Sequence, residues 1–578
     1  MSDRHTEISR GAFRSILFLI LAVAALMRGL YPAADPPWNP GVGIVWHDEG
    51  PWVHNARNKA LFGQWSLDQW NPLYIAPVFT GLEYLAFRAF GVGVRQARIV
   101  PEVCGLLSIW LLALGVARMG GRRAGIIAAA LAGTNYFYVM WNRAALMEGP
   151  MVAFMAFSWY CYVRAENEPR WGFAAGACAL LAFFTKASAA FFVVALGLDA
   201  LLSILPVRGA VSPSGRARTG FWTLGGLTVC GTAALALFVL PNWSSYRFYN
   251  WQMSVTRKPT YDVKSLVDRV SWFPLQDAFT RTWFVLALAA AYAGGLLSKW
   301  RDLRPGERLL VLWVLLGAAE LILHDASNER RFVFFIPALA ALAALALGQL
   351  QILPAALEQI PRRRAALALP IVLYGAYVVF ASIVRIAFLG EISPNVRIAG
   401  ALAVIFVGIL YGTWPWLPRA LGERLTTRGA IVVAVLLSVG NVVQYVQWAA
   451  GRSYKNYEAS RALGSMLPPG TLVHGKLANG LALENRIVPV FIGREFGNYD
   501  DRKTRDDVRY ILTYIAPSLG YESQAHNPVI QDVIDAYPNH TIIATFDVAE
   551  TATGHDRAAL IDKFGGRQDV RQNGRAKH

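Results

Sequence analysis

Apolar residues fill this chain in long blocks, each closed by a short polar loop, rather than in the one-sided stripes of a soluble helix. A helix needs about 20 apolar residues to cross a hydrocarbon layer of about 30 Å, and on that measure the pattern predicts about 13 membrane spans. Seven are Phe13–Leu30, Cys104–Ala117, Ala124–Trp141, Met151–Val163, Phe173–Phe184, Ala189–Leu205 and Phe221–Leu240. The others are Trp283–Leu297, Leu309–Leu323, Phe332–Leu350, Ala365–Leu389, Ala399–Leu417 and Ala430–Trp448. Arg4, Arg10 and Arg14 precede the apolar run Ser15–Met27 of the first block, and Tyr31-Pro32-Ala33-Ala34-Asp35 after it is a poor cleavage site. The block is therefore read as a retained first span, with Arg28 snorkelling to the interface.

The polar intervals set the orientation. With the N-terminus cytoplasmic, the inside loops hold Arg118/Arg122/Arg123, Arg164/Arg170, Arg208/Arg216/Arg218, Lys299/Arg301/Arg304/Arg308, Arg362/Arg363/Arg364 and Arg419/Arg424/Arg428. Every basic cluster of this kind then falls on one side, as the positive-inside bias requires. An odd number of spans leaves the C-terminal tail outside. The expected organisation is a transmembrane domain over residues 1–450 and an extracytoplasmic α/β domain over 451–578, in the plasma (inner) membrane of a cell envelope. The transmembrane domain includes a first external loop, 31–101, with interfacial helices around Leu73–Phe90, and a second external loop at 241–281. In the tail, Thr471–Val473, Ile487–Ile492, Val508–Ile515 and Thr541–Phe546 read as strands.

Composition agrees: 55% of the 578 residues are hydrophobic and the mean hydropathy is +0.36. A net charge of +17 would suggest nucleic acid in a soluble chain, but here it follows from the loop clusters, so no nucleic-acid partner is expected. Cys104, Cys161, Cys178 and Cys230 lie in apolar stretches with neither metal nor disulfide spacing and read as packing residues.

Charged side chains are costly near hydrocarbon, so their placement is informative. They gather at the outer ends of spans: Asp48 and Glu49 in the first loop, Arg143 and Glu148 after the third span, and Lys186 after the fifth. A further group, Glu320, His324, Asp325, Glu329, Arg330 and Arg331, surrounds the turn between the ninth and tenth. Converging at one outer pocket, they would set carboxylates beside several cations. That combination suits a carboxylate taking the proton of an acceptor hydroxyl while cations hold a phosphate leaving group. The phosphate would arrive on a lipid, because the chain has no phosphate-binding glycine loop and no cytoplasmic domain to bind a nucleotide sugar. Trp46, Trp52, Trp65 and Trp70 offer faces for sugar rings, or form an interfacial aromatic belt. His47 and His54 flank the acid pair without a further ligand at zinc spacing. Asp500, Asp501, Asp506 and Asp507 alternate with Arg502, Lys503 and Arg505 as a solvated face does.

The order Trp46-His47-Asp48-Glu49-Gly50, Asn71-Pro72-Leu73-Tyr74, Arg98, Arg143 through Glu148-Gly149-Pro150, Thr185-Lys186 and Arg331-Phe332 through Ile336-Pro337 resembles the GT-C superfamily of lipid-phosphate-sugar glycosyltransferases. Within it, the chain is most similar to the branch of protein O-mannosyltransferases and the aminoarabinose transferase acting on lipid A. The resemblance runs from about Phe13 to Leu350. It implies that Asp48 is the catalytic base, with Glu49 its partner. Glu148 stands where the family usually has Asp. Lys186 and Arg331 match basic positions near the donor phosphate, and Arg98, Arg143 and Tyr74 would complete substrate binding. The implied activity is inverting transfer from a polyprenyl-phosphate-linked sugar to a hydroxyl of a lipid, glycan or protein, among membrane lipids at the outer face. The resemblance leaves room for a divalent cation at Asp48 and Glu49, because some members use one and others do not. The alternatives are a transporter or lipid flippase, which would place ionisable groups near the midplane and show related halves, and an inactive glycan-binding relative.

Overall fold

The structure, a computed structural model, describes residues 8–37, 46–205, 214–252, 303–324, 329–348, 396–414, 427–493, 496–514, 531–551 and 554–565, with scattered positions at 285–300 and 366–380 and residue 416. Much of the predicted spans Trp283–Leu297 and Ala365–Leu389, the second external loop beyond residue 252 and several basic clusters lie outside the described residues. So do the side chains of Trp46, His324, Asp325, Glu329 and Arg331.

The chain is mainly helical. The helices are α1 (Arg10–Gly29), α2 (Glu49–Phe62), α3 (Pro77–Phe90), α4 (Val94–Gly133), α5 (Tyr136–Asn142), α6 (Glu148–Ala165), α7 (Trp171–Thr185), α8 (Ala190–Ile204) and α9 (Ser214–Ala234). After the short α10 (Trp243–Arg247) come α11 (Pro305–His324), α12 (Ile336–Gly348), α13 (Val396–Gly412) and α14 (Thr427–Ala450). Among the described residues, the stretches Arg10–Gly29, Val94–Gly133, Ala187–Ile204 and Gly215–Val239 are long and apolar enough to cross a membrane. Shorter apolar helices accompany them. Phe18 and Leu237 are 75% and 80% exposed on their outer faces, which suits contact with lipid.

Three local features depart from the hydropathy reading. The second predicted span begins inside α4, which starts earlier, at Val94, and kinks at Gly121, where φ is 84°. The third ends early: α4 stops at Gly133 and α5 starts afresh, because the Asn135 side chain accepts a hydrogen bond from the Tyr138 N–H at 2.8 Å and caps the new helix. Arg28 does not snorkel. It is fully buried and donates to Asn142 Oδ1 at 3.1 Å and to the carbonyls of Ala24 and Gly133, binding α1 to the junction of α4 and α5. Elsewhere small residues set the spacing. A Cβ at Gly176 would meet the Leu227 nitrogen and Thr223 carbonyl at 2.6 Å, so α7 and α9 touch backbone to backbone.

The C-terminal part is a small α/β unit. Strands β1 (Leu472–His474), β2 (Val488–Val490), β3 (Tyr510–Tyr514), β4 (Thr541–Thr551) and β5 (Gly554–Asp562) form one sheet in the order β2-β1-β3-β5-β4. β1 pairs parallel with β2 and β3, and β5 lies antiparallel between β3 and β4. β5 is an addition to the four strands expected. Helix α15 (Lys455–Met466) and the single turn α16 (Lys476–Gly480) pack with it around Leu463, Val473, Leu477, Leu512 and Leu560.

This unit is pinned to the segment between α1 and α4 by polar contacts. Arg57, which burial pushes down to about 9, donates to the carbonyls of Ala482, Asn485 and Ile487 at 2.9–3.0 Å. Asp35 accepts from the Ser453 hydroxyl, the Lys455 N–H and the Asn456 amide at 2.7–2.9 Å. Asp68 takes the Phe491 N–H at 2.8 Å while its other oxygen meets His54 Nε2 at 2.8 Å.

Candidate active site

Asp48 ends a 3-10 turn, Trp46–Asp48, and Glu49 opens α2. Adjacent in sequence, the two acids face different partners. Asp48 pairs with Arg330, from the 3-10 helix Glu329–Phe335 that leads into α12. Glu49 accepts from Arg98 Nε at 2.8 Å and Nη2 at 2.6 Å, and from the Ala145 N–H at 2.7 Å. Arg98 spends its other terminal nitrogen on the Pro32 and Ala34 carbonyls, at 3.0 and 2.6 Å.

Glu148 opens α6 and pairs with Lys186, the extended residue that ends α7. Arg330 lies close enough to act on Glu148 as well, so Asp48, Arg330, Glu148 and Lys186 form one alternating cluster of acids and bases. Its members come from four distant chain segments. Glu148 Oε2 is buried and has no hydrogen-bond partner among the described residues.

Arg143 sits apart, with its guanidinium on the carbonyls of Met27, Arg28 and Tyr31 and under the Trp448 ring at 4.5 Å. Tyr74 stacks on Tyr249 and Phe238 at 5.8 and 6.3 Å. The Trp70 side chain is buried: its indole N–H donates to Pro51 O at 2.7 Å and its ring stacks on Phe491 at 4.9 Å, with Trp52 edge-on. Trp70 therefore joins loop and tail rather than facing a sugar. Trp65 lies against Tyr84 and Lys59. Arg330 stands in the charged group read from the sequence, but the resemblance picks out its neighbour Arg331; the pairing of Arg98 with Glu49 gave no signal in the sequence.

A divalent cation at Asp48 and Glu49 does not fit this arrangement. Each carboxylate faces a guanidinium, and a cation there would have to displace Arg330 from one and Arg98 from the other. Among the described residues no three His, Cys, Asp or Glu side chains group as metal ligands.

Glu83 of α3 is fully buried and neither carboxylate oxygen has a hydrogen-bond partner among the described residues. Burial, with the nearby Glu49 charge, pushes its pKa well above the usual carboxylate range and so favours the neutral acid, whose shape glutamine copies. Glu83→Gln is therefore expected to leave folding stability and function nearly unchanged, within about 1 kcal/mol. Thermal unfolding in detergent checks this; a marked loss would mean that Glu83 is ionised and paired.

The fold and part of the sequence are similar to those of known proteins. Over residues 75–211 the sequence matches the family described as dolichyl-phosphate-mannose-protein mannosyltransferase. The fold matches that of ArnT from Cupriavidus metallidurans bound to undecaprenyl phosphate, with TM-score 0.56 and 14% identity over 97% of this chain and 99% of that one. The apo state of ArnT matches with TM-score 0.54 and 16% identity over 96% and 99%. No curated protein matches the chain.

Proposed function

We propose that the protein transfers a sugar from a polyprenyl-phosphate-linked donor to a hydroxyl of a lipid, glycan or protein at the outer face of the membrane, with inversion at the anomeric carbon. The observation that carries this reading is the four-residue cluster of Asp48, Arg330, Glu148 and Lys186. The family match over residues 75–211 and the fold shared with a protein that binds undecaprenyl phosphate support it.

The pairs suggest how a donor starts the reaction. A carboxylate held by a guanidinium is a weakened base. The donor phosphate is an anion that competes for Arg330 and Lys186. Once they hold the phosphate, Asp48 is released to take the acceptor proton as its oxygen attacks the anomeric carbon. The phosphate leaves as a lipid anion against the same cations, whose attraction gains strength where water is excluded. Glu148, with one oxygen still open, takes a sugar hydroxyl. Arg98 and Arg143, whose donors are engaged by Glu49 and backbone carbonyls, act as braces for the acid-bearing turn. Tyr74 and its stack on Tyr249 shape the wall.

Proteoliposomes supplied with undecaprenyl-phosphate-linked hexoses and aminopentoses, with a membrane extract as acceptor source, test the activity. At least one donor should release undecaprenyl phosphate with an inverted product. Flux of donor across the bilayer without transfer would instead favour a flippase.

A further inference from the structure

The turn that carries Asp48 lies under the C-terminal unit at van der Waals range. A Cβ at Gly480, the last residue of α16, would come within 2.8 Å of the His47 Cβ and 3.1 Å of its Cα. A Cβ at Gly50 would run into the Asn479 carbonyl. Two glycines thus allow the backbone of α16 to rest on the stretch from His47 to Gly50.

His47 is fully buried between the two parts. Its Nδ1 lies 3.1 Å from the hydroxyl of Tyr514, at the end of β3, and the two rings meet edge to face with centroids 6.3 Å apart. Its Nε2 lies 3.9 Å from Asp48 Oδ1, a neighbour just outside hydrogen-bond reach, while Asp48 Oδ2 meets Arg330. With Tyr514 donating to Nδ1, the imidazole proton sits on Nε2, the nitrogen that faces the carboxylate.

We propose that Tyr514 and His47 are positioning residues for Asp48, so that the C-terminal unit completes the active site instead of merely covering it. The hydroxyl fixes the tautomer and tilt of His47, and so holds the imidazole N–H where a small rotation of the carboxylate brings Asp48 Oδ1 onto it. Arg330 holds the second oxygen until donor phosphate draws it away. At that point His47 becomes the group that keeps Asp48 aimed at the acceptor. The inference rests on Asp48 acting as the base.

The test uses the whole chain in proteoliposomes with five variants: Asp48→Asn, Tyr514→Phe, Gly480→Ala, His47→Gln and His47→Leu. Tyr514→Phe and Gly480→Ala are each expected to lower kcat about tenfold or more, since small misplacements of a catalytic group are costly. KM for the donor and affinity for undecaprenyl phosphate should stay within about twofold, because the expected defect lies in aiming the base and not in holding the phosphate. His47→Gln, which keeps an N–H donor, should retain more activity than His47→Leu. Hydrogen exchange over residues 46–62 should rise in Gly480→Ala and stay unchanged over 94–133, which distinguishes a released turn from a misfolded chain. If Asp48→Asn is inactive while Tyr514→Phe and Gly480→Ala keep wild-type kcat and exchange, the positioning role is overturned and the base assignment stands. If Asp48→Asn still transfers sugar, the base assignment falls and the positioning role falls with it.

Discussion

Asp48→Asn is expected to lower sugar transfer by about 10²–10⁴-fold, the usual contribution of a positioned general base. The substitution keeps the shape of the side chain and removes its charge. It therefore also releases Arg330, and the outcome for binding is opposite in sign to the outcome for rate. A guanidinium no longer neutralised by Asp48 is freer to meet a phosphate, so undecaprenyl phosphate should bind as tightly as to the wild type or more tightly. A loss of rate with retained or strengthened lipid binding fits a base whose ion pair yields to the donor. Parallel losses of rate and binding would mean that Asp48 is a structural acid.

Glu49→Gln is expected to act on stability. Glu49 is 6% exposed and Arg98 4%, and their two hydrogen bonds, with the Ala145 N–H, close a buried pair. Removing one charge of such a pair strands the other in a low-dielectric site, at a cost of about 3–5 kcal/mol. Arg98 would keep its two carbonyl acceptors and lose the charge that balances it. The unfolding temperature in detergent should fall clearly, and Glu49→Gln with Arg98→Met should recover part of the loss, because no lone charge then remains. A double variant no better than the sum of the single changes would show that the two residues are not coupled. The contrast with Glu83→Gln isolates the effect: both acids are buried near one another, but only Glu49 has a partner.

Much of the site was legible because charge is scarce in an apolar sequence. Asp48, Glu49, Glu148 and Lys186 stand out against their surroundings, and the structure brings Asp48, Glu148 and Lys186 into one cluster. Partner choice was not legible. Whether Arg330 or Arg331 meets Asp48 depends on rotation about a 3-10 helix, whose successive side chains point about 120° apart, and hydropathy carries no such phase. Arg98 and Arg143 resemble substrate cations until their carbonyl and carboxylate acceptors are seen, and those acceptors are far away in sequence. In the fold, the apolar run from Ala124 to Trp141 hid the break at Asn135, although that residue is a good helix cap. β5 escaped because its first half, Gly554-His555-Asp556-Arg557, is polar and its next two residues are alanines of low strand preference. Its place is set by pairing with β3 and β4 on either side.

In the proposed mechanism Lys186 and Arg330 hold the phosphate of a polyprenyl lipid beside Asp48. Mass spectrometry of lipid extracted from the purified protein reads this out, comparing the wild type, Asp48→Asn and a variant carrying Lys186→Met with Arg330→Met. A polyprenyl phosphate, with or without its sugar, is expected in the first two and should be lost from the third. A wild type that carries no such lipid, or a double variant that retains it in full, would remove the phosphate from these two cations.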